Sequence, residues 1–145
     1  MADQLHAATV SVQDTHIQSS PLPKLDRLRT RADFQRLTRF GRKHATRGLV
    51  LQVARQPVDA ADHLANGPTA RVGFTASKKV GNAVARNRAK RRLRALAYAV
   101  LRPQAQPSLD YVLVGRHTTL HRPWLKLVKD LEEALSRTRL DKEHA

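Results

Sequence analysis

The chain has 145 residues, enough for one domain of ordinary size with tails. Its 27 Lys and Arg against 12 Asp and Glu give a formal net charge of +15, which calls for a polyanionic partner, most commonly nucleic acid. There is no Cys, which excludes disulfides, thiolate nucleophiles and Cys-based zinc sites, and no run approaches the roughly 20 apolar residues of a membrane helix.

Residues 1–23 are polar and aperiodic, ending in Ser19-Ser20-Pro21-Leu22-Pro23, and predict a flexible arm. Residues 24–137 predict the domain, and 138–145 a C-terminal tail. Thr30-Arg31-Ala32-Asp33 has the form of an acidic capping box, so a short helix should run from there to Phe40 and stop at Gly41. Residues 48–55 (GLVLQVAR) read as a strand, 56–69 with Asn66-Gly67-Pro68 as a loop, and 70–77 (ARVGFTAS) as a second strand. In that strand Val72, Phe74 and Ala76 alternate with Arg71, Gly73 and Thr75. Asn82 after Gly81 is a good N-cap for a helix to Leu101. At about 100° per residue, Ala85, Ala89, Leu93, Leu96 and Val100 form its core stripe. Residues 109–116 (LDYVLVGR) read as a third strand. Pro123 suits the first turn of a last helix with an apolar face of Trp124, Leu127, Val128, Leu131 and Leu135, and with Asp130, Glu132 and Glu133 on its outer side. One small sheet covered by helices on one face is the simplest way to bury these stripes, an α+β sandwich.

Between His63 and Leu109 there is no Asp or Glu, yet the window holds Arg71, Lys78, Lys79, Arg86, Arg88, Lys90, Arg91, Arg92, Arg94 and Arg102. Arg86, Lys90 and Arg94 form an i,i+4 series of like charges, each pair costing a few tenths of a kcal/mol on a bare helix. A bound anion relieves that repulsion. Lys90, Arg91, Arg94 and Asn87 should lie opposite the apolar stripe, with Arg86, Arg88 and Arg92 flanking them. Arg offers a planar fork to phosphate oxygens. Free backbone N–H groups around Gly81 and Asn82, beside Lys78 and Lys79, would add an anion site. A helix followed by a sheet strand argues against a helix-turn-helix on DNA and towards an RNA partner.

The run Phe74-Thr75-Ala76-Ser77-Lys78-Lys79-Val80-Gly81-Asn82-Ala83-Val84-Ala85-Arg86-Asn87-Arg88-Ala89-Lys90-Arg91-Arg92-Leu93-Arg94 closely resembles the signature of the bacterial ribonuclease P protein family. The likeness extends over residues 25–137, taking in Arg-Ala-Asp-Phe34 and Asp110-Tyr111-Val112. It implies a single-domain α/β sandwich with a small four-stranded sheet, a left-handed βαβ crossover, and a short strand near residues 44–47. It implies that Lys78, Lys79, Asn82, Arg86, Asn87, Arg88, Lys90, Arg91 and Arg94 meet the RNA subunit. A cleft with Phe34, Gln52, Arg71 and Thr75 would hold the 5′ leader of precursor tRNA. Phe34 reads equally as a core residue. The family often has aromatics where this chain has Thr38 and Gln52, and Phe40 is out of phase to replace them.

No cluster of carboxylates marks a nuclease centre, and the seven His are scattered, with His117 and His121 ahead of the last helix. The resemblance implies a non-catalytic protein subunit, phosphodiester hydrolysis by the RNA with its Mg2+, and a protein that reduces the magnesium requirement. The expected partners are ribonuclease P RNA and precursor tRNA, without membrane or DNA. The expected location is the cytoplasm. A general structured-RNA or ribosomal RNA-binding protein is the alternative.

Overall fold

The computed structural model describes residues 24–57 and 69–140. The arm expected at 1–23, most of the 56–69 loop and the last five residues lie outside the described residues. The elements in order are β1 (Leu25–Arg27), α1 (Arg31–Phe40), β2 (Arg42–Ala45), β3 (Leu49–Arg55), β4 (Ala70–Ala76), α2 (Ala83–Leu96), β5 (Leu109–Gly115) and α3 (Trp124–Arg137). The α+β class holds, with one sheet rather than several.

That sheet has five strands, not four, in the order β1-β4-β5-β3-β2. The β1–β4 and β4–β5 pairs are parallel, whereas β5–β3 and β3–β2 are antiparallel. The additional strand is β1, whose three residues are too short to show a period. The short strand expected near 44–47 is β2, two residues earlier. Its Arg42-Lys43-His44-Ala45 sequence lacks any apolar alternation because it forms a charged sheet edge.

Helices cover both faces of the sheet, not one. In β5, Tyr111 and Leu113 join Leu93 and Leu96 of α2 and Leu127 and Leu131 of α3 in the main core. Val112, between them, packs with Leu37 of α1 and Leu28 in a second cluster that also takes Phe34, Ala54 and Val114. A strand buried on both sides shows no regular polar–apolar alternation, so its sequence does not say how many layers flank it.

Local chemistry fixes the helix ends. Thr30 caps α1, its Oγ1 accepting from the Asp33 N–H at 3.2 Å. Gly41 ends it where a Cβ would fall 2.6 Å from the Leu37 carbonyl oxygen. Gly81 turns the chain into α2 at φ +145°, the glycine region, and Asn82 Oδ1 accepts from the Ala85 N–H at 2.9 Å. The α-helix stops at Leu96, five residues before the expected end, and continues as a wider π turn, Ala97–Leu101. In a regular helix Leu101 would lie about 120° from Ala89. The extra residue in the turn lets Ala97, Val100 and Leu101 all be buried. Of the expected stripe, Ala85 is only half-buried.

Two expectations for α3 change. Pro123 stands just before the helix, at its N-cap. Asp130 is not on the outer side but 7% exposed, held by Arg122 through Nε to Oδ2 at 2.5 Å and Nη2 to Oδ1 at 3.2 Å. It lies one turn from Leu127, so the core stripe includes it, and a charge there requires its partner. Packing also continues past 137: Thr138 is buried, with Oγ1 donating to the Ala134 carbonyl at 2.8 Å, and Leu140 touches the core.

Candidate RNA interface

The basic helix α2 is anchored to the sheet through Ala89, Leu93 and Leu96, so its outer face is rigidly presented. Asn87, Arg88, Arg91 and Arg94 are exposed, as are Lys78 and Lys79 in the 3₁₀ turn before it. The i,i+4 series does not sit at the centre of that outer face. Arg86 and Lys90 are half-buried along the flank next to β4, and the Arg94 guanidinium lies 5.4 Å from the Phe74 ring centroid. Arg86 donates from Nη1 to the Gly81 carbonyl at 2.9 Å, tying the helix to its own entrance turn. Arg92, on the opposite flank, donates to the Thr119 carbonyl at 2.7 Å. The forks left for an external phosphate are chiefly those of Arg88, Arg91 and Arg94, with the Asn87 amide among them.

The expected anion cradle at the helix start is partly filled by the chain itself. The Lys79 N–H reaches Ser77 Oγ at 3.2 Å, the Val80 and Gly81 N–H groups reach the Ser77 and Lys78 carbonyls, and Asn82 Oδ1 is taken by its capping bond. Asn82 therefore serves first as a cap, with its side-chain NH2 still able to donate.

The expected leader cleft lies on the sheet's other face. Cross-strand registers line up Val50–Val114–Thr75 in one row, Lys43–Gln52–Val112–Gly73 in the next and Ala54–Asp110–Arg71 in the third. Helix α1 covers the second and third rows, leaving Val50, Val114 and Thr75 half-buried. Phe34 is half-buried over Gly73, whose absent side chain makes room for the ring: a Cβ there would fall 2.5 Å from Phe34 Cζ. The two readings of Phe34 therefore meet in one position, with part of the ring in the small core and part at the margin of the open row. Gln52 is almost buried at 8% exposure.

Arg71 has a different place from the one expected. Its Nε and Nη2 donate to the two Asp110 carboxylate oxygens at 2.8 and 2.7 Å, and Asp110 is fully buried. Arg36 of α1 also donates to Asp110, and to Asp33 at 3.3 Å; Asp33 lies 3.5 Å from Arg71. The hydrogen bond to Asp110 holds the Arg71 guanidinium further into its charged form, against the pull of burial. Arg71 thus clamps α1 to the sheet instead of offering a free fork to the leader. Spacing alone could not show this, because Asp33, Arg71 and Asp110 are far apart in the chain.

The clamp carries a pH dependence. Burial pushes the Asp33 carboxyl up, but hydrogen bonds from Thr30 and Arg36 and the charges of Arg71 and Arg36 outweigh it and leave it below its ordinary value. A folded-state value below the unfolded one stabilises fully above about pH 4, and the contribution disappears as pH falls through the folded value. Asp33→Asn is expected to flatten the decline in melting temperature between about pH 5 and pH 3. Parallel wild-type and variant curves over that range would refute the assignment.

Among the described residues no helix is long and apolar enough to cross a membrane. A family model described as Ribonuclease P matches residues 22–139. The ribonuclease P protein component of Paramagnetospirillum magneticum is 50% identical over 123 residues, covering 84% of this chain and 90% of the relative. That of Caulobacter vibrioides is 47% identical over 112 residues, covering 77% of this chain and 70% of the relative. Among solved structures, the Staphylococcus aureus RNase P protein superposes with a TM-score of 0.60 at 27% identity, covering 80% of this chain and 97% of the other. The Thermotoga maritima RNase P protein shares the fold with a TM-score of 0.60 at 20% identity, over 79% of this chain and 99% of the other.

Proposed function

This chain belongs to the ribonuclease P protein family, and from that premise we propose how it serves the enzyme: α2 docks on the RNA subunit, while the open side of the sheet beside α1 takes the 5′ leader of precursor tRNA. The observation that carries this reading is the Asn87-Arg88-Arg91-Arg94 surface, exposed on a helix bolted to the core, in a stretch without a single acid between His63 and Leu109. Such a surface reads phosphate rather than sequence. Half-buried Phe34, Thr75 and Val114 offer the leader a shallow, mostly uncharged floor.

The chemistry belongs to the RNA in this reading. The carboxylates of Asp33, Asp110 and Asp130 are taken up by arginines, and we assign the magnesium to the RNA. The protein's share is to lower the repulsion between two polyanions, enzyme RNA and substrate, so that less magnesium is required.

The test is cleavage of a precursor tRNA by bacterial ribonuclease P RNA at low magnesium, with and without the protein. Protein-dependent appearance of the mature 5′ end is the expected result. RNA binding without stimulation would reduce the reading to general RNA binding.

A further inference from the structure

The most exposed large apolar side chain among the described residues is Phe40, 74% exposed at the end of α1. It turns away from Phe34 on the helix, although one open depression over the outer side of α1 is lined by both. Measured from buried Leu37 at about 100° per residue, Phe34 and Thr38 turn about 60° and 100° one way; Phe40 turns about 60° the other, with Asp33 and Arg36. On that far flank Phe40, Arg36, Arg42, Arg55, Ala54 and Leu140 line a concavity of about 370 Å³.

Its chemistry is of one kind. No described lining residue is acidic, and Arg39 adds a guanidinium 6.0 Å from the Phe40 ring centroid. Arg42 is steadied by donating to the Arg139 carbonyl at 2.7 Å, whereas Arg36 is taken up by Asp110, Asp33 and the Arg55 carbonyl and only walls the concavity. A guanidinium has five donors, so a bond to one carbonyl leaves most of the Arg42 fork for an anion. An aromatic ring flanked by Arg39 and Arg42 suits a nucleotide: the base stacks on the ring and the phosphate meets the guanidinium forks. A lone carboxylate or phosphate would not use the ring, and an apolar peptide would not use the arginines.

We propose that this concavity is a second single-stranded RNA site, which stacks one leader nucleotide on Phe40 after the strand has left the cleft at Phe34. The proposal rests on the functional reading above. Phe40 lies about 9 Å farther along the helix axis than Phe34.

The test uses holoenzyme assembled with wild-type, Phe40→Ala or Phe40→Trp protein, and measures affinity for precursor tRNAs whose leader is lengthened one nucleotide at a time. Wild type should gain affinity as the leader reaches the site. Phe40→Ala should lose that gain, about 5- to 150-fold, while binding the shortest leaders normally. Phe40→Trp should retain it, and assembly with the RNA subunit and the melting curve of the free protein should be unchanged. Equal affinity of wild type and Phe40→Ala at every leader length overturns this site alone, as does a loss that falls on assembly with the RNA subunit. A wild-type protein that fails to support cleavage overturns the functional reading and the site with it.

Discussion

Replacing Asp110 with Ala is expected to lower the unfolding free energy by about 3–5 kcal/mol, the cost of breaking a buried ion pair by removing one partner. Asp110 has no exposed surface and receives two bonds from Arg71 and one from Arg36. Without it, two guanidinium groups whose side chains are only 14% and 22% exposed remain in the interface between α1 and the sheet with Asp33 alone to answer them. In a domain of this size the loss should appear as a fall in melting temperature of roughly 10 °C or more. Asp110→Asn keeps a hydrogen-bond acceptor and should fall between the two. A melting temperature within a few degrees of wild type for Asp110→Ala would mean that water screens the cluster and that α1 is held by Leu37 and Phe34 alone.

The second large effect concerns assembly. The double variant Arg88→Ala/Arg91→Ala removes two exposed forks that make no hydrogen bond or ion pair with other described residues, so its melting curve should match wild type. Each charge-assisted hydrogen bond contributes about 1.5–3 kcal/mol, so RNA affinity should drop at least about a hundredfold. The slope of log affinity against log salt should shrink by about 0.7–0.9 for each phosphate that the variant no longer neutralises. Arg92→Ala is the contrasting variant: its bond to the Thr119 carbonyl makes it a structural residue, so it should cost stability more than affinity. An unchanged salt slope in the double variant would place the RNA elsewhere on the surface.

The sequence was most readable where a local rule decides the outcome. Thr30, Gly41, Gly81 and Asn82 announce the ends of α1 and the start of α2, because caps and turns depend on neighbours within four residues. The strands β3, β4 and β5 follow from their β-branched and Leu-rich runs. Harder features depend on distant partners. β1 is a strand only because β4 lies beside it. Asp130 and Asp110 look like surface carboxylates until Arg122, Arg36 and Arg71 are seen against them. The site divides in the same way. The basic face of α2 follows from helical phase, whereas the withdrawal of Arg86 and Arg92 into bonds with Gly81 and Thr119, and of Arg71 into the α1 clamp, requires the fold.

The central position of β5 has a consequence for the order of events during synthesis. β5 joins the β1–β4 pair to the β3–β2 pair, yet it is made last of the five strands. At about 5–20 residues per second the ribosome delivers β3, β4 and the whole of α2 seconds before the strand that unites them. Until then the β1–β4 and β3–β2 pairs have no strand to join them, and the highly positive helix α2 has only β4 to lean on. Long-range closure of this kind is slow. The newborn protein therefore passes through a stage in which its strongest charge is exposed and its core is still incomplete, and an RNA that engages the helix at that stage would act as a folding template as well as a partner.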